Sequence, residues 1–318
     1  MGCATVTAGA AGCPSGVTLR FLAIACAAPL LAPGAGAAER VTVPGGVITV
    51  ELTHESESLD RSALMNWVRE SAGAVAGFYG RFPVTTTRLL VTPRPGSGVG
   101  GGRTWAEDGG LIRIRVGEST TPAGYAKDWV LVHEMTHLAL PALPDDQEWL
   151  EEGLATYVEP LARAQAGGLS DEDVWSGMVD GMPKGLPQPG DRGLDRTHTW
   201  GRTYWGGALF CLLADLEIRR RTGNARGLQD ALRAILASGS METSSGIGPV
   251  LATGDRAVGV PVLEELYTRQ KDRPETTDLD ALWRRLGVIP AGSTVRFDEE
   301  APEAALRRSL TAPRKLSP

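Results

Sequence analysis

Cysteine is nearly absent from the body of this chain. Of its four cysteines, Cys3, Cys13 and Cys26 fall within the first 26 residues, so a chain trimmed there keeps Cys211 alone and has no disulfide framework. Cys211 sits in the apolar run Leu209-Phe210-Cys211-Leu212-Leu213, where a thiol behaves as a small buried hydrophobe, and it receives no catalytic role. Positive charge is also short. A net charge of -6 and a pI near 5.4 give no basic footprint for phosphates, and no Lys/Arg cluster interleaves with aromatics, so no nucleic acid partner is expected. Beyond the N-terminus no apolar run is long and uncharged enough to cross a bilayer. What the chain does have is 42% hydrophobic residues over 318 positions, enough for one large domain or two modest ones.

The N-terminus reads as an export signal. Arg20 precedes the apolar stretch Phe21 to Ala32, and Ala35-Gly36-Ala37 offers the small residues of a cleavage site. A signal peptide over residues 1–37 is expected, with the mature chain exported to the periplasm or outside the cell and keeping no stable membrane span.

Residues 41–52, rich in Val, Thr and Ile, predict a strand, and Leu59 to Tyr79 has the apolar spacing of a helix. Thr86 to Thr92 predicts another strand and Pro93 to Gly102 a loop. Arg103 to Glu107 and Leu111 to Arg115 flank Asp108-Gly109-Gly110 as the arms of a hairpin do. From Pro122 onward helices alternate with Gly/Pro loops, the plainest loop being Gly181 to Asp195. The pattern is α+β, with a small mixed α/β subdomain over 38–120 and a helical subdomain over 121–318.

His133-Glu134-Met135-Thr136-His137 lies within Tyr125 to Leu140, whose apolar positions suit a largely buried helix. Residues four apart on a helix differ by only ~40° in direction and ~6 Å in rise, so both imidazoles can reach one ion. Pro141, Pro144 and Asp145-Asp146 then break that helix and can cap a second beginning near Gln147. Fourteen residues lie between His137 and Glu152, enough for a helix end, a turn and the start of a helix that returns a carboxylate to the imidazoles. Two His and one Glu leave a fourth zinc position open, as a catalytic site needs. One Zn2+ per chain is expected, on His133, His137 and Glu152, with Glu134 as general base. A buried helix that carries two histidines merely for packing is the plainer alternative, and the Glu152 motif weighs against it.

His133-Glu-x-x-His137 followed by Trp149-x-x-Glu152-Gly153-x-Ala155-x-Tyr157 resembles the gluzincin metallopeptidases, the clan of thermolysin and the zinc aminopeptidases. Tyr204-Trp205-Gly206-Gly207-Ala208, Asp215 to Arg219, Thr222-Gly223 and Leu228 to Arg233 resemble the helical half of the glycyl aminopeptidase family. The spacing from His137 to Glu152 is shorter than in the zinc aminopeptidases. The resemblance implies a thermolysin-like zincin with its zinc site between the two subdomains, acting on a peptide or protein substrate. It also places the ligand immediately before Gly153, which selects Glu152 over its neighbour Glu151.

Tyr204, opening the helix that the family packs against the zinc, and His198 in the loop before it are the candidates for donating to an oxyanion. Arg103, Thr104, Trp105 and Ala106 resemble the sheet-edge strand that pairs with substrate backbone in gluzincins. Glu107 resembles the glutamate by which zinc aminopeptidases hold a free amine, although the flanking residues are Ala106 and Asp108 where the family has methionine and asparagine. An ordinary polar turn residue is the alternative for Glu107. An i,i+4 pair with Arg219 accounts for Asp215, and His54 reads as a solvated strand-end residue. The rival to a peptidase is a non-catalytic or self-processing peptidase-like protein that binds a protein partner; Glu134 weighs against it, since a scaffold has no use for that carboxylate.

Overall fold

A hairpin opens the chain. In the computed structural model, which describes residues 38–313, β1 (Glu39–Val43) turns through Pro44-Gly45 into antiparallel β2 (Gly46–Leu52). The expected leader over 1–37, with Cys3, Cys13 and Cys26, lies outside the described residues. The single strand predicted over 41–52 is therefore two strands. Gly45 adopts φ +88°, and a Cβ there would stand 2.8 Å from Arg81 Cβ, so the turn forms where only glycine fits.

β2 and β3 (Thr86–Arg94) pair in parallel, which requires a crossover, and α1 (Arg61–Tyr79) supplies it. Asp60 caps α1 by accepting the Ala63 N–H at 2.9 Å, and Gly80 ends it at φ +86°. β4 (Val99–Trp105) and β5 (Leu111–Gly117) form the expected hairpin, with Trp105 opposite Leu111. The sheet order is β1-β2-β3-β5-β4, which leaves β4 at an edge. Most of the segment predicted as loop over 93–102 thus belongs to the ends of β3 and the start of β4.

The sheet ends at Gly117, and helices follow from Pro122: α2 (Pro122–Ala126), α3 (Val130–His137), α4 (Glu148–Gln165), α5 (Asp171–Gly181), α6 (Gly207–Arg221), α7 (Leu228–Ser238), α8 (Ile247–Val258), α9 (Val262–Gln270) and α10 (Leu279–Leu286). A short hairpin, β6 (Val288–Ala291) and β7 (Thr294–Phe297), precedes α11 (Ala304–Thr311); the purely helical second half expected from sequence omitted it. The architecture is α+β. One contiguous core runs through it, from Ile48, Leu89 and Ile112 on the sheet to Trp149, Phe210 and Leu212 among the helices. No described helix is long and apolar enough to cross a membrane.

The helix expected over Tyr125 to Leu140 is broken in two. Asp128 accepts the N–H groups of Val130 (3.0 Å) and Leu131 (3.1 Å), so α3 starts afresh at Val130 and spans eight residues.

Candidate metal centre and active site

The Asp128 cap fixes where α3 begins and so fixes the direction of its side chains. His133 and His137 follow one turn apart, their rings 4.9 Å between centroids and nearly perpendicular. α4 crosses beneath them and brings up Glu152, whose Oε2 lies 3.1 Å from His133 Nε2 and 3.6 Å from His137 Nε2. One donor atom from each residue falls within 4.8 Å of the others. Ligands held about 2.0–2.1 Å from a tetrahedral ion stand roughly 3.3 Å from one another, so two nitrogens and a carboxylate oxygen at this spacing fit zinc.

Electrostatics agree with that geometry. Burial works to raise the Glu152 pKa, but hydrogen bonds and attraction from both histidines outweigh it and hold the carboxyl well below the usual range. Burial works to lower His137, and the Glu152 hydrogen bond reverses it, with Glu134 and Glu151 adding to the rise. Glu151 points elsewhere. Its Oε1 accepts the Leu143 N–H at 2.8 Å, which ties the loop after α3 to the start of α4.

Glu134 is buried and held by the edge strand. Thr104 Oγ1 on β4 lies 2.6 Å from Glu134 Oε2 and 3.0 Å from the Glu134 carbonyl oxygen. Two residues back on the same face, Gly102 leaves room for it: a Cβ there would stand 2.6 Å from Glu134 Cγ. Neither contact was foreseen from sequence. The glycine run of β4 was the available signal, since a glycine inside a strand often marks such a close approach.

A cavity of about 560 Å³ lies between β4, α3 and α4 and is lined by His133, Glu134, His137, Glu152 and Tyr204. Arg103, Thr104 and Trp105 of β4, with Ala106 just past its end, form one wall, and the guanidinium groups of Arg103 (5.4 Å) and Arg113 (5.3 Å) both lie over the Trp105 ring. Glu107 is exposed in the β4–β5 turn, outside the lining residues, where its charge faces Arg88. His198 is likewise exposed and outside the lining. His54 is solvent-exposed beside Thr53, and Asp215 pairs with Arg219 at 2.7 Å while also accepting from the Tyr157 hydroxyl.

Tyr204 reaches the site through an irregular turn. Gly201–Gly206 is one turn of π-helix leading into α6, rather than the regular start of a helix. Behind it α4 and α6 touch backbone to backbone: a Cβ on Gly153 would lie 2.3 Å from Gly207 Cα, and one on Gly207 would lie 2.0 Å from the Trp149 carbonyl. Only glycine at both positions allows that approach, which brings Tyr204 over Glu152. Burial first, then the charge and hydrogen bond of Glu152, push the Tyr204 phenol up to about 12. A nearly enclosed ion pair between Arg202 and Asp191 (2.8 Å) anchors the turn from below.

No family model matches the chain, and no curated protein matches it. Solved structures do. An aminopeptidase N family protein from Idiomarina loihiensis superposes with a TM-score of 0.61 at 13% identity, over 83% of this chain and 52% of that one. A mutant M1 zinc metallopeptidase from Deinococcus radiodurans gives 0.51 at 15% identity, over 76% of this chain and 52% of that one. The chain thus spans about half the length of the solved structures it matches, and at these identities the likeness is one of fold. The gluzincin resemblance read from the motifs therefore has a matching fold beneath it.

Proposed function

We propose that the chain is an exported zinc-dependent peptidase, with the thermolysin-like arrangement of a metal between sheet edge and helices. The observation that carries the reading is the convergence of His133, His137 and Glu152 within 4.8 Å, beside a buried Glu134 that the edge strand grips. Bound by those three residues, zinc supplies a Lewis acid that polarises a carbonyl and lowers the pKa of water. Glu134 takes the proton from the attacking water and passes it to the leaving nitrogen. Tyr204, which lines the same cavity as the three candidate ligands, donates its phenol proton in a hydrogen bond to the developing oxyanion. Residues 103–105 on the free edge of β4, with Ala106 just beyond it, pair with an extended peptide backbone. Export rests on the leader-like sequence over 1–37.

The test is cleavage of a mixed peptide library with and without a chelator, with metal analysis alongside. Glu134→Gln should keep one zinc per chain and lose most turnover, since the amide cannot accept the proton. Turnover equal to the parent's in that variant would favour the non-catalytic binding protein instead.

A further inference from the structure

Among the described residues, the large hydrophobic side chains that stand exposed are Trp129 (52%), Trp200 (61%) and Ile289 (42%). Both tryptophans line a second cavity of about 390 Å³, next to the one that holds the candidate metal ligands. His133 and Tyr204 line both cavities. The rings form a continuous row: Trp129 meets His133 edge-on at 5.4 Å, His133 stacks with Tyr204 at 6.2 Å, and Tyr204 stacks with Trp200 at 5.8 Å. Each tryptophan thus touches one ring of the row and still leaves about half or more of its surface open to solvent beside an apolar hollow.

We propose that this cavity receives one large aromatic side chain of the peptide, from a residue beside the bond that is cut; the inference rests on the peptidase reading above. The walls favour an aromatic occupant. Trp205 adds an indole to the lining, and Met178 and Met182 add polarisable sulfur, which suits ring edges. The charged residues of the wall are already engaged, so they do not call for a charged ligand. Lys184 pairs with Asp180 at 2.7 Å and lies over the Trp205 ring, Glu159 is bound by Arg163 at 2.7 Å, and Asp173 closes the capping box of α5 with Ser170. The volume is that of a pocket for one large side chain, near the lower end of ligand pockets in general.

Gly177 on α5 gives a clean way to fill the cavity. It lines the wall, and a Cβ added there meets nothing within 4 Å, so a side chain can start from this position without a backbone clash. Cleavage sites in a mixed peptide library, read by mass spectrometry, should show Phe, Tyr or Trp enriched at a single position beside the cut. For a matched pair of peptides with Phe or Ala at that position, Gly177→Leu should lower the Phe-to-Ala ratio of kcat/KM at least about tenfold, with zinc content as in the parent. Trp200→Ala, at an exposed site, should lower the same ratio. A readout free of catalysis is indole emission: N-acetylphenylalanine amide should perturb the parent's emission saturably, N-acetylalanine amide should not, and Gly177→Leu should lose the response. Cleavage without aromatic enrichment, or a ratio within twofold of the parent in both variants, overturns the pocket and leaves the peptidase standing. Selective binding of the phenylalanine amide by a parent protein that cuts no peptide overturns the peptidase and leaves the aromatic site.

Discussion

Gly102→Ala should damage catalysis while sparing the fold. An alanine Cβ at this position falls 2.6 Å from Glu134 Cγ, 2.9 Å from Oε1 and 3.0 Å from Cδ. Ordinary carbon–carbon contact is about 3.5–4.0 Å, so the Glu134 side chain must move by roughly 1 Å. That movement costs little stability, because the atoms that yield belong to one flexible side chain and position 102 has only intermediate exposure on an edge strand. It costs much more in rate, because a displacement of about 1 Å at a reacting group can lower turnover roughly 100-fold, equivalent to about 2.7 kcal/mol in the barrier. The assay is kcat and KM on a peptide taken from the library, with zinc content and Tm on the same preparation. We expect kcat to fall roughly 10- to 100-fold, with one zinc retained and Tm within a few degrees of the parent. A kcat within twofold of the parent would refute the view that β4 sets the position of Glu134.

Thr104→Val removes the hydroxyl that meets Glu134 and should lower kcat roughly tenfold or more, while Thr104→Ser should restore most of it; equal rates for the valine and serine variants count against the contact. His137→Ala should lose both zinc and activity, and a variant that keeps full zinc after dialysis would remove His137 from the ligand set. N-terminal sequencing of exported material should begin near Ala38, and an intact Met1 on cytosolic protein would overturn export. Glu159 gives a pH dependence. Burial raises its pKa from 4.5 to about 7 against the opposing pull of Arg163, with Asp128 adding to the rise. The folded state therefore holds this proton more tightly than the unfolded chain. Stability from this group is present below about pH 4.5 and is lost as pH rises through 7, by up to about 3 kcal/mol. Denaturant unfolding at pH 5 and pH 8 should show the loss in the parent and a smaller one in Glu159→Gln; identical pH dependence in both would contradict it.

The convergence of the three candidate metal ligands was legible because its signal is local. Two histidines four apart and a glutamate one turn into the next helix need only regular helix geometry to be placed, and the proline and aspartate residues between them mark the break. What escaped was set by contacts between distant segments. Gly100, Gly101 and Gly102 read as loop because glycine disfavours strands, yet Gly102 is required in a strand by a glutamate 32 positions later, a pairing that no local pattern carries. Asp128 broke the predicted helix because its side chain competes for the N–H groups of Val130 and Leu131, while the apolar periodicity runs straight through the break. The π-turn at 201–206, which carries Tyr204, leads directly into the close Gly153–Gly207 contact between helices, a pairing of distant positions that local sequence does not carry. For Glu107 and His198 the local sequence resembled functional segments, but the turn and the loop that carry them point both into solvent.

These origins divide the site into two parts that fail separately. The candidate metal ligands come from α3, whose start Asp128 caps, and from α4, which packs against it, so their positions follow from the helical core. Glu134 shares α3 with the two histidines, yet its carboxylate is held by Thr104 and given room by Gly102, both on an edge strand that pairs on only one side. Substrate backbone added to the free edge of β4 would therefore bear on the same strand that holds the base. Changes on β4 should thus alter turnover while zinc remains bound, whereas changes within α3 and α4 that move a ligand should release the metal and remove activity with it.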